Sequence, residues 1–292
     1  MYGLEYSYIY KSKGNREVTF QDYYNEQQAL NEKLIVFNGG KRTGQVVFMA
    51  GAGGSGKGFV QSQFMDVRDF KVFDVDQVKT LALKVSKLGK YYREIRNLDL
   101  TDAENTRRLH VYLRTKLNKH ERNIHQEKWI RFVLSTIEKD FKGLALPNIM
   151  FDKTLSNLND LTDVIPELLD LGYQRKDIHI SWVLTDSKVA LHRNQTRARR
   201  VPDDVMRDAH RDVAKTIYDM IFNGTYPRSI DGEFNVVLNN SDQTQIRKSD
   251  RGGSQITDFT YYRIKKSGKK FISDQNILND IQRWVADNTP KG

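Results

Sequence analysis

The chain has 292 residues, 38% of them hydrophobic and 29% charged, which fits a globular protein with one large α/β domain or two smaller ones. The absence of cysteine excludes a disulfide framework, a thiol nucleophile and a cysteine-based zinc site, and no window reaches the roughly 18 apolar residues of a membrane span. A formal net charge of +10 favours an anionic partner, and nucleic acid is the leading candidate. We therefore expect a cytoplasmic protein without a membrane partner.

The first 43 residues mix aromatic and charged side chains, with a helix-compatible pattern at about residues 22–33. Asn38-Gly39-Gly40 then marks a turn before the first strongly apolar run. We predict that residues 1–43 are an N-terminal extension packed on a core of residues 44–242.

Residues 46–50 (VVFMA) predict a buried strand, and GAGGSGKG at 51–58 has the G-x-x-x-x-G-K arrangement of a phosphate-binding loop. In such a loop backbone N–H groups converge on a phosphate, the lysine reaches the outer phosphates, and the next helix presents its positive end. A flexible surface loop is the alternative, but the flanking strand and helix patterns favour a nucleoside triphosphate site. The predicted ATP-binding residues are Gly51, Gly53, Gly54, Ser55, Gly56, Lys57 and Gly58.

Residues 70–75 (FKVFDV) predict a second strand. Its end carries two carboxylates, Asp74 and, directly after Val75, Asp76. A carboxylate at the C-terminal end of a parallel strand points into the crevice where open α/β sheets bind ligands. There it can accept the proton of an attacking hydroxyl. We predict this role for Asp76 and substrate contact for Asp74, whereas the structural alternative is that either residue caps the following helix.

The stretch from 88 to 142 predicts helices, because leucine and isoleucine recur at spacings of three and four residues. Its other faces carry many basic residues, so this basic insertion could follow a polynucleotide backbone or simply form a solvated face. The basic residues are Arg107, Arg108, Arg114, Lys116, Lys119, Arg122, Lys128 and Arg131.

Residues 148–152 (NIMFD) predict a third strand that again ends in a carboxylate, Asp152, the usual position for an acid that assists Mg²⁺ in phosphate-loop proteins. Gly58 stands where such loops usually carry a Ser or Thr that binds the metal. We therefore expect Mg²⁺ to be held by Asp152, by Ser55 or through water.

Further apolar runs at 178–184 and 234–238 alternate with helical patterns. This rhythm predicts a phosphate-loop type of α/β fold, with a parallel sheet covered by helices on both faces. Residues 243–292 follow as a C-terminal module with a strand or hairpin around 260–271 and a final helix.

Between two of the predicted helices, residues 193–204 carry four arginines, Arg193, Arg197, Arg199 and Arg200. Pro202 then begins a new helix. An arginine-rich segment at this place in the order of elements is typical of a kinase lid, whose guanidinium groups stabilise charge on the transferring phosphoryl group. A solvated charge run is the alternative.

With these pieces assembled, residues 44–242 resemble the P-loop kinases grouped around phage polynucleotide 5′-kinase and the zeta-toxin nucleotide-sugar kinases. The resemblance is carried by FDVDQVK at 73–79, DKT at 152–154, NL at 157–158, RN at 193–194 with Arg197, and VPDDV at 201–205. It implies that Asp76 is the base and that Lys79, in place of an arginine, binds the acceptor. The N-terminal extension, the insertion and the C-terminal module have no counterpart in it.

The resemblance implies ATP- and Mg²⁺-dependent transfer of the γ-phosphoryl group to a hydroxyl, with Lys57, Asp76, Arg193 and Arg197 as catalytic residues. We predict substrate contacts for Asp74, Lys79, Arg199 and Arg200. The basic surface favours a nucleic-acid acceptor, DNA above all, either a 5′-hydroxyl end or a hydroxymethylated base as in phage DNA kinases, whose place is the host cytoplasm. Two alternatives stay open: a zeta-toxin-like kinase of a nucleotide sugar, and a nucleotide-binding adaptor on nucleic acid without transferase activity.

Overall fold

The structure is a computed structural model that describes residues 35, 37–67, 69–89, 91–115, 126–239, 245–248, 254–257, 260–264, 266–267, 270–271 and 274–288. The helix predicted near residues 22–33 lies outside this part of the chain. So do the basic residues Lys116, Lys119 and Arg122 of the insertion.

A six-stranded sheet forms the centre of the molecule, in the order β2-β3-β1-β4-β5-β8. Its first five strands are parallel, and β8 joins the edge antiparallel to β5. The strands are β1 (Val46–Ala50), β2 (Phe70–Asp74), β3 (Asn148–Asp152), β4 (Ile178–Leu184), β5 (Phe234–Leu238) and β8 (Thr260–Ile264). Two small antiparallel pairs lie outside it: β6 (Gln245–Lys248) with β7 (Ser254–Thr257), and β9 (Lys266–Ser267) with β10 (Lys270–Phe271).

Nine helices occur within the described residues: α1 (Lys57–Phe64), α2 (Val75–Lys87), α3 (Ala103–Thr115), α4 (Gln126–Asp140), α5 (Asn159–Thr162), α6 (Ile165–Asp170), α7 (Ser187–Gln195), α8 (Asp203–Phe222) and α9 (Gln275–Asn288). Short 3₁₀ turns lie at Phe37–Gly40, Arg93–Ile95 and Arg175–Asp177. Within the described part of the chain, no helix is long and apolar enough to cross a bilayer.

Helices cover both faces of the sheet because its strands are apolar on both sides, as parallel strands usually are. On one face Val46 and Phe48 of β1 share a core with α4, α6, α8 and α9. On the other face Val47 and Met49 pack with α1 and with Phe37. The predicted fold class, a mostly parallel sheet between helical layers, is confirmed.

The predicted insertion contributes two helices with different surroundings. Helix α4 packs directly on the sheet through Ile130, Val133, Leu134 and Ile137. Helix α3 lies instead in a separate apolar cluster with Ala82 of α2 and Ile95. The segments after residue 243 also contact the core, since β8 extends the main sheet and Ile281 and Trp284 of α9 pack against it.

Candidate active site

The phosphate-type loop connects the end of the central strand β1 to the first residue of α1, Lys57. Three of its glycines, Gly51, Gly54 and Gly56, are required by the packing of the loop. A Cβ on Gly51, whose φ is +144°, would lie 2.4 Å from the backbone oxygen of Val183, and one on Gly56, at φ +88°, would lie 2.3 Å from the Asn239 side chain. No such constraint acts on Gly58, where a Cβ would have no neighbour within 4 Å. Glycine at 58 is therefore not imposed by a lack of space.

Residues that directly follow β4 and β5 support the loop through hydrogen bonds. Asn239 donates from Nδ2 to the backbone oxygen of Ser55 at 2.8 Å, and the hydroxyl of Thr185 donates to the same oxygen at 2.8 Å. The Nε2 atom of His210 on α8 lies 2.9 Å from the backbone oxygen of Gly53, so that ring nitrogen carries the proton. These contacts fix the backbone of the loop at Gly53 and Ser55.

Lys57 and Asp152 face each other where the loop meets the end of β3. The Lys57 ammonium donates to the backbone oxygen of Gly51 at 2.7 Å and lies 3.6 Å from Asp152 Oδ1. Burial raises the pKa of Asp152, and the nearby carboxylates of Asp74 and Asp76 raise it further, while Lys57 lowers it. A cation bound beside Asp152 would therefore stabilise its charged form.

Asp74 is the last residue of β2 and pairs with Asp152 across the parallel register, whereas Asp76 lies in the first turn of α2 and not on the strand where the sequence placed it. Asp74 is the N-cap of α2, since its Oδ1 accepts from the Asp76 backbone N–H at 2.8 Å. The capping alternative therefore holds for Asp74, which also lines the cavity. Its predicted contact with substrate stays a prediction.

The side chain of Asp76 is held by two cations. Its Oδ1 accepts from Lys79 Nζ at 3.0 Å, and its Oδ2 accepts from Arg199 Nη2. Burial by itself would raise the pKa of Asp76, but the hydrogen bond from Arg199 and the charges of Lys79 and Arg199 outweigh it and hold the pKa well below its usual range. Asp76 is therefore ionised at neutral pH.

The predicted lid projects over the loop from α7. Arg193 donates to the backbone oxygen of Gly54 at 3.3 Å and to Asn239 Oδ1 at 3.5 Å. Arg193, Arg197 and Arg199 all line the cavity, but Arg200 is not among its lining residues. The backbone N–H of Arg200 instead donates to the oxygen of Leu100 at 2.9 Å, which ties the lid to the segment before α3.

A cavity of about 850 Å³ brings these groups together, within the range of volumes common for ligand sites. Its floor is the loop with Asp74, Asp76 and Asp152, and one wall is formed by the lid and the start of α8. Another wall is formed by α3, with Thr106, Arg107, Leu109, His110, Leu113 and Arg114. Arg107 spans the two walls, because its Nη2 contacts both carboxylate oxygens of Asp204 at 3.0 Å.

The residues present fit a magnesium ion bound together with a nucleotide. The partly exposed carboxylate of Asp152 opens into the cavity, and the buried hydroxyl of Ser55 has no hydrogen-bond partner among the described residues. No cluster of three or more His, Cys, Asp or Glu ligands occurs in the described part of the chain. Phosphate oxygens and waters would supply most of the ligands, as is usual for Mg²⁺.

Sequence reasoning missed the residues that support the loop. Asn239, Thr185 and His210 are all buried, and each contacts a backbone oxygen of a residue more than 100 positions away. The sequence signal that could have found Thr185 and Asn239 is their position directly after the strands β4 and β5. The α3 wall was also missed as part of the site, because helical periodicity does not show what a helix faces.

No protein-family model matches the chain, and no curated protein sequence matches it. Among solved structures, a chain of the PezAT chromosomal toxin–antitoxin system of Streptococcus pneumoniae is 9% identical, with 92% of this chain and 94% of that chain covered and a TM-score of 0.42. A chain of AvrRxo1-ORF1:AvrRxo1-ORF2 with sulphate ions is 13% identical, with 86% and 65% covered and a TM-score of 0.42. Deoxyadenosine kinase from M. mycoides with bound dATP is 14% identical, with 61% and 86% covered and a TM-score of 0.33. Likeness at this level carries no argument about activity.

Proposed function

We propose that this protein is an ATP-dependent kinase that transfers the γ-phosphoryl group to a hydroxyl. The observation that carries the proposal is the convergence, in one cavity, of a phosphate-type loop with Lys57, an ionised carboxylate on Asp76 and the lid arginines. A protein that only bound nucleotide would need the loop but not a carboxylate placed to receive a hydroxyl proton.

On the donor side, the loop amides and Lys57 would hold the ATP phosphates, and Mg²⁺ bound at Asp152 would neutralise part of their charge. Arg193 already lies against the loop and would place its guanidinium beside the phosphoryl group in transfer. Arg197, exposed on the lid, would reach the same group when the lid closes on ATP.

On the acceptor side, the attacking hydroxyl oxygen forms a bond to the γ-phosphorus while the bond from that phosphorus to the β–γ bridging oxygen breaks. ADP leaves, and the hydroxyl proton passes to Asp76. Lys79, 3.0 Å from Asp76, would bind an anionic part of the acceptor.

We propose nucleic acid, and DNA above all, as the acceptor, on the strength of the net charge of +10 and of the basic α3 wall. In the described residues the predicted basic track is divided. Arg107 and Arg114 line the cavity, whereas Arg131 lies on α4, next to Glu167 at 3.5 Å. A strand end that enters the cavity therefore suits the site better than a surface track. A nucleotide sugar is the second candidate, because α3 and the lid together enclose the cavity.

The deciding experiment is transfer of labelled γ-phosphate from ATP to a panel of acceptors. The panel contains 5′-hydroxyl DNA and RNA, duplex DNA with hydroxymethyluracil, and UDP-N-acetylglucosamine, with Lys57→Ala as the control. Label in nucleic acid that is lost in Lys57→Ala supports a nucleic-acid kinase, and label only in the sugar supports the second candidate. ATP binding with no labelled product from any acceptor would favour a nucleotide-binding adaptor.

A further inference from the structure

The hydrogen bonds on Asp76 come from two different parts of the molecule. Lys79 is three residues further along the same helix and moves with Asp76. Arg199 reaches Asp76 from the lid, 123 residues away in sequence. Because both cations stabilise the charged carboxylate, Asp76 is a poor proton acceptor until one of them leaves. Of the two, Arg199 is the one that a movement of the lid would take away.

The position of Arg199 is fixed by the structure of the lid loop. The buried side chain of Asn194 bridges this loop, donating from Nδ2 to the Val201 oxygen at 2.7 Å and accepting from the Val201 N–H at 3.0 Å. The Arg200 N–H is bound to Leu100 on the other side. Arg199 itself is only 19% exposed in its side chain, while Arg197 and Arg200 are exposed. The loop therefore directs this one arginine of the three inward onto Asp76.

We propose that Arg199 makes phosphoryl transfer depend on the acceptor: it holds the Asp76 carboxylate until an anionic acceptor draws its guanidinium away. This inference rests on the kinase function proposed above. A phosphate or carboxylate group of the acceptor would offer Arg199 a bidentate partner in exchange for Asp76. A water molecule offers no such partner, so ATP is protected from hydrolysis in the absence of acceptor.

Hydrolysis of ATP would follow the same chemistry as phosphoryl transfer, with water in place of the acceptor hydroxyl. A water oxygen would form the bond to the γ-phosphorus, the bond to the bridging oxygen would break, and the water proton would pass to Asp76, giving ADP and phosphate. The charged groups that face Asp76 are Lys79 of α2, Arg199 of the lid and the carboxylate of Asp152 on β3. Loss of Arg199 leaves Asp76 with Lys79 alone and makes it more basic.

The test needs only ATP and Mg²⁺, because it measures hydrolysis without acceptor. We expect Arg199→Ala to hydrolyse ATP about tenfold faster than the wild type or more, a part of the usual contribution of a general base. The acidic limb of the rate profile should also move to higher pH, since the pKa of Asp76 rises. Arg207→Ala, which removes an exposed arginine of α8, is the matched control and should hydrolyse ATP like the wild type. Adding Asp76→Asn to Arg199→Ala should abolish the gain.

An Arg199→Ala rate equal to or below that of the wild type, in protein that binds ATP, overturns the inference and leaves the kinase proposal standing. A gain that survives in the double variant also overturns it, because the effect would not pass through Asp76. If the wild type binds no ATP, both proposals fail together. Should Arg199→Ala not fold, Arg199→Gln keeps most of the side chain without its charge and gives the same readout.

Discussion

Asn239 and Ser55, 184 residues apart in sequence, are joined by a hydrogen bond of 2.8 Å from the Asn239 amide to the Ser55 backbone oxygen. The side-chain oxygen Oδ1 of Asn239 accepts from Arg193 Nη2 at 3.5 Å. One buried side chain thus fixes the phosphate-type loop and an arginine of the lid to the end of β5.

Replacement of Asn239 by alanine should loosen both the phosphate-type loop and Arg193 of the lid. We expect a loss of about 1–3 kcal/mol in the free energy of unfolding, the usual cost of leaving a buried hydrogen-bond partner unsatisfied. The KM for ATP should rise more than kcat falls, because the change acts on the ATP-binding loop and leaves Asp76 in place. Urea denaturation and steady-state kinetics check this, with the exposed Asn223→Ala as control. An unchanged KM would contradict the proposed role of Asn239.

Gly56 and Gly58 form a matched pair of loop glycines, because an added Cβ would be crowded at Gly56 and unhindered at Gly58. Gly56→Ala places a Cβ 2.3 Å from the Asn239 side chain at a φ of +88°, and should cost about 1–3 kcal/mol of stability together with ATP binding. Gly58→Ala meets no neighbour within 4 Å in the first turn of α1 and should be neutral or stabilising by up to about 1 kcal/mol. Equal urea midpoints for the two variants would show that the loop does not need its left-handed glycine.

Asp76→Asn should slow phosphoryl transfer strongly while the protein still binds ATP. The asparagine keeps the shape of the side chain but cannot take up the hydroxyl proton, so we expect a loss in kcat of about 10²–10⁴. Binding of a fluorescent ATP analogue measures the part that should persist. Asp208→Asn, at an exposed position of α8, controls for the loss of one negative charge. Transfer at the wild-type rate would remove Asp76 from the mechanism.

His179 predicts how stability depends on pH. Burial lowers the pKa of this residue to about 4, against an ordinary value of 6.5. The unfolded chain therefore takes up a proton that the folded chain does not, and stability is lost as the pH falls from 6.5 towards 4. We expect this histidine alone to remove about 1 kcal/mol between pH 7 and pH 5.5.

The measurement for His179 is the midpoint of urea unfolding at about pH 7 and about pH 5.5. In His179→Asn the side-chain oxygen can replace Nδ1, which accepts from the Glu233 N–H at 2.8 Å, so the protein should fold with a weaker pH dependence. His192→Asn, at an exposed position, should keep the wild-type dependence. A wild-type pH dependence in His179→Asn would contradict the assignment of the stability loss to His179.

Much of the site could be predicted from sequence because its signals are local. An apolar strand, a glycine-rich loop and a helix are consecutive in the chain, and Asp76 and Asp152 were placed by the rule that parallel strands end at the same edge of the sheet. The β2–β3 register, which pairs Asp74 with Asp152, shows why that rule worked here. The competing cap interpretation could not be separated from it for Asp74, since a cap is itself a local contact.

The sequence by itself determined the fold class, the loop and the identity of the charged groups, because periodicity, glycine spacing and strand ends are properties of short segments. Only the tertiary structure decided which charges meet. The four lid arginines look alike in sequence, yet Arg199 contacts Asp76, Arg193 contacts the loop and Arg200 does not line the cavity. The α3 wall and the support from Asn239 were decided in the same way, since each depends on contacts between segments far apart in the chain, which no local pattern records.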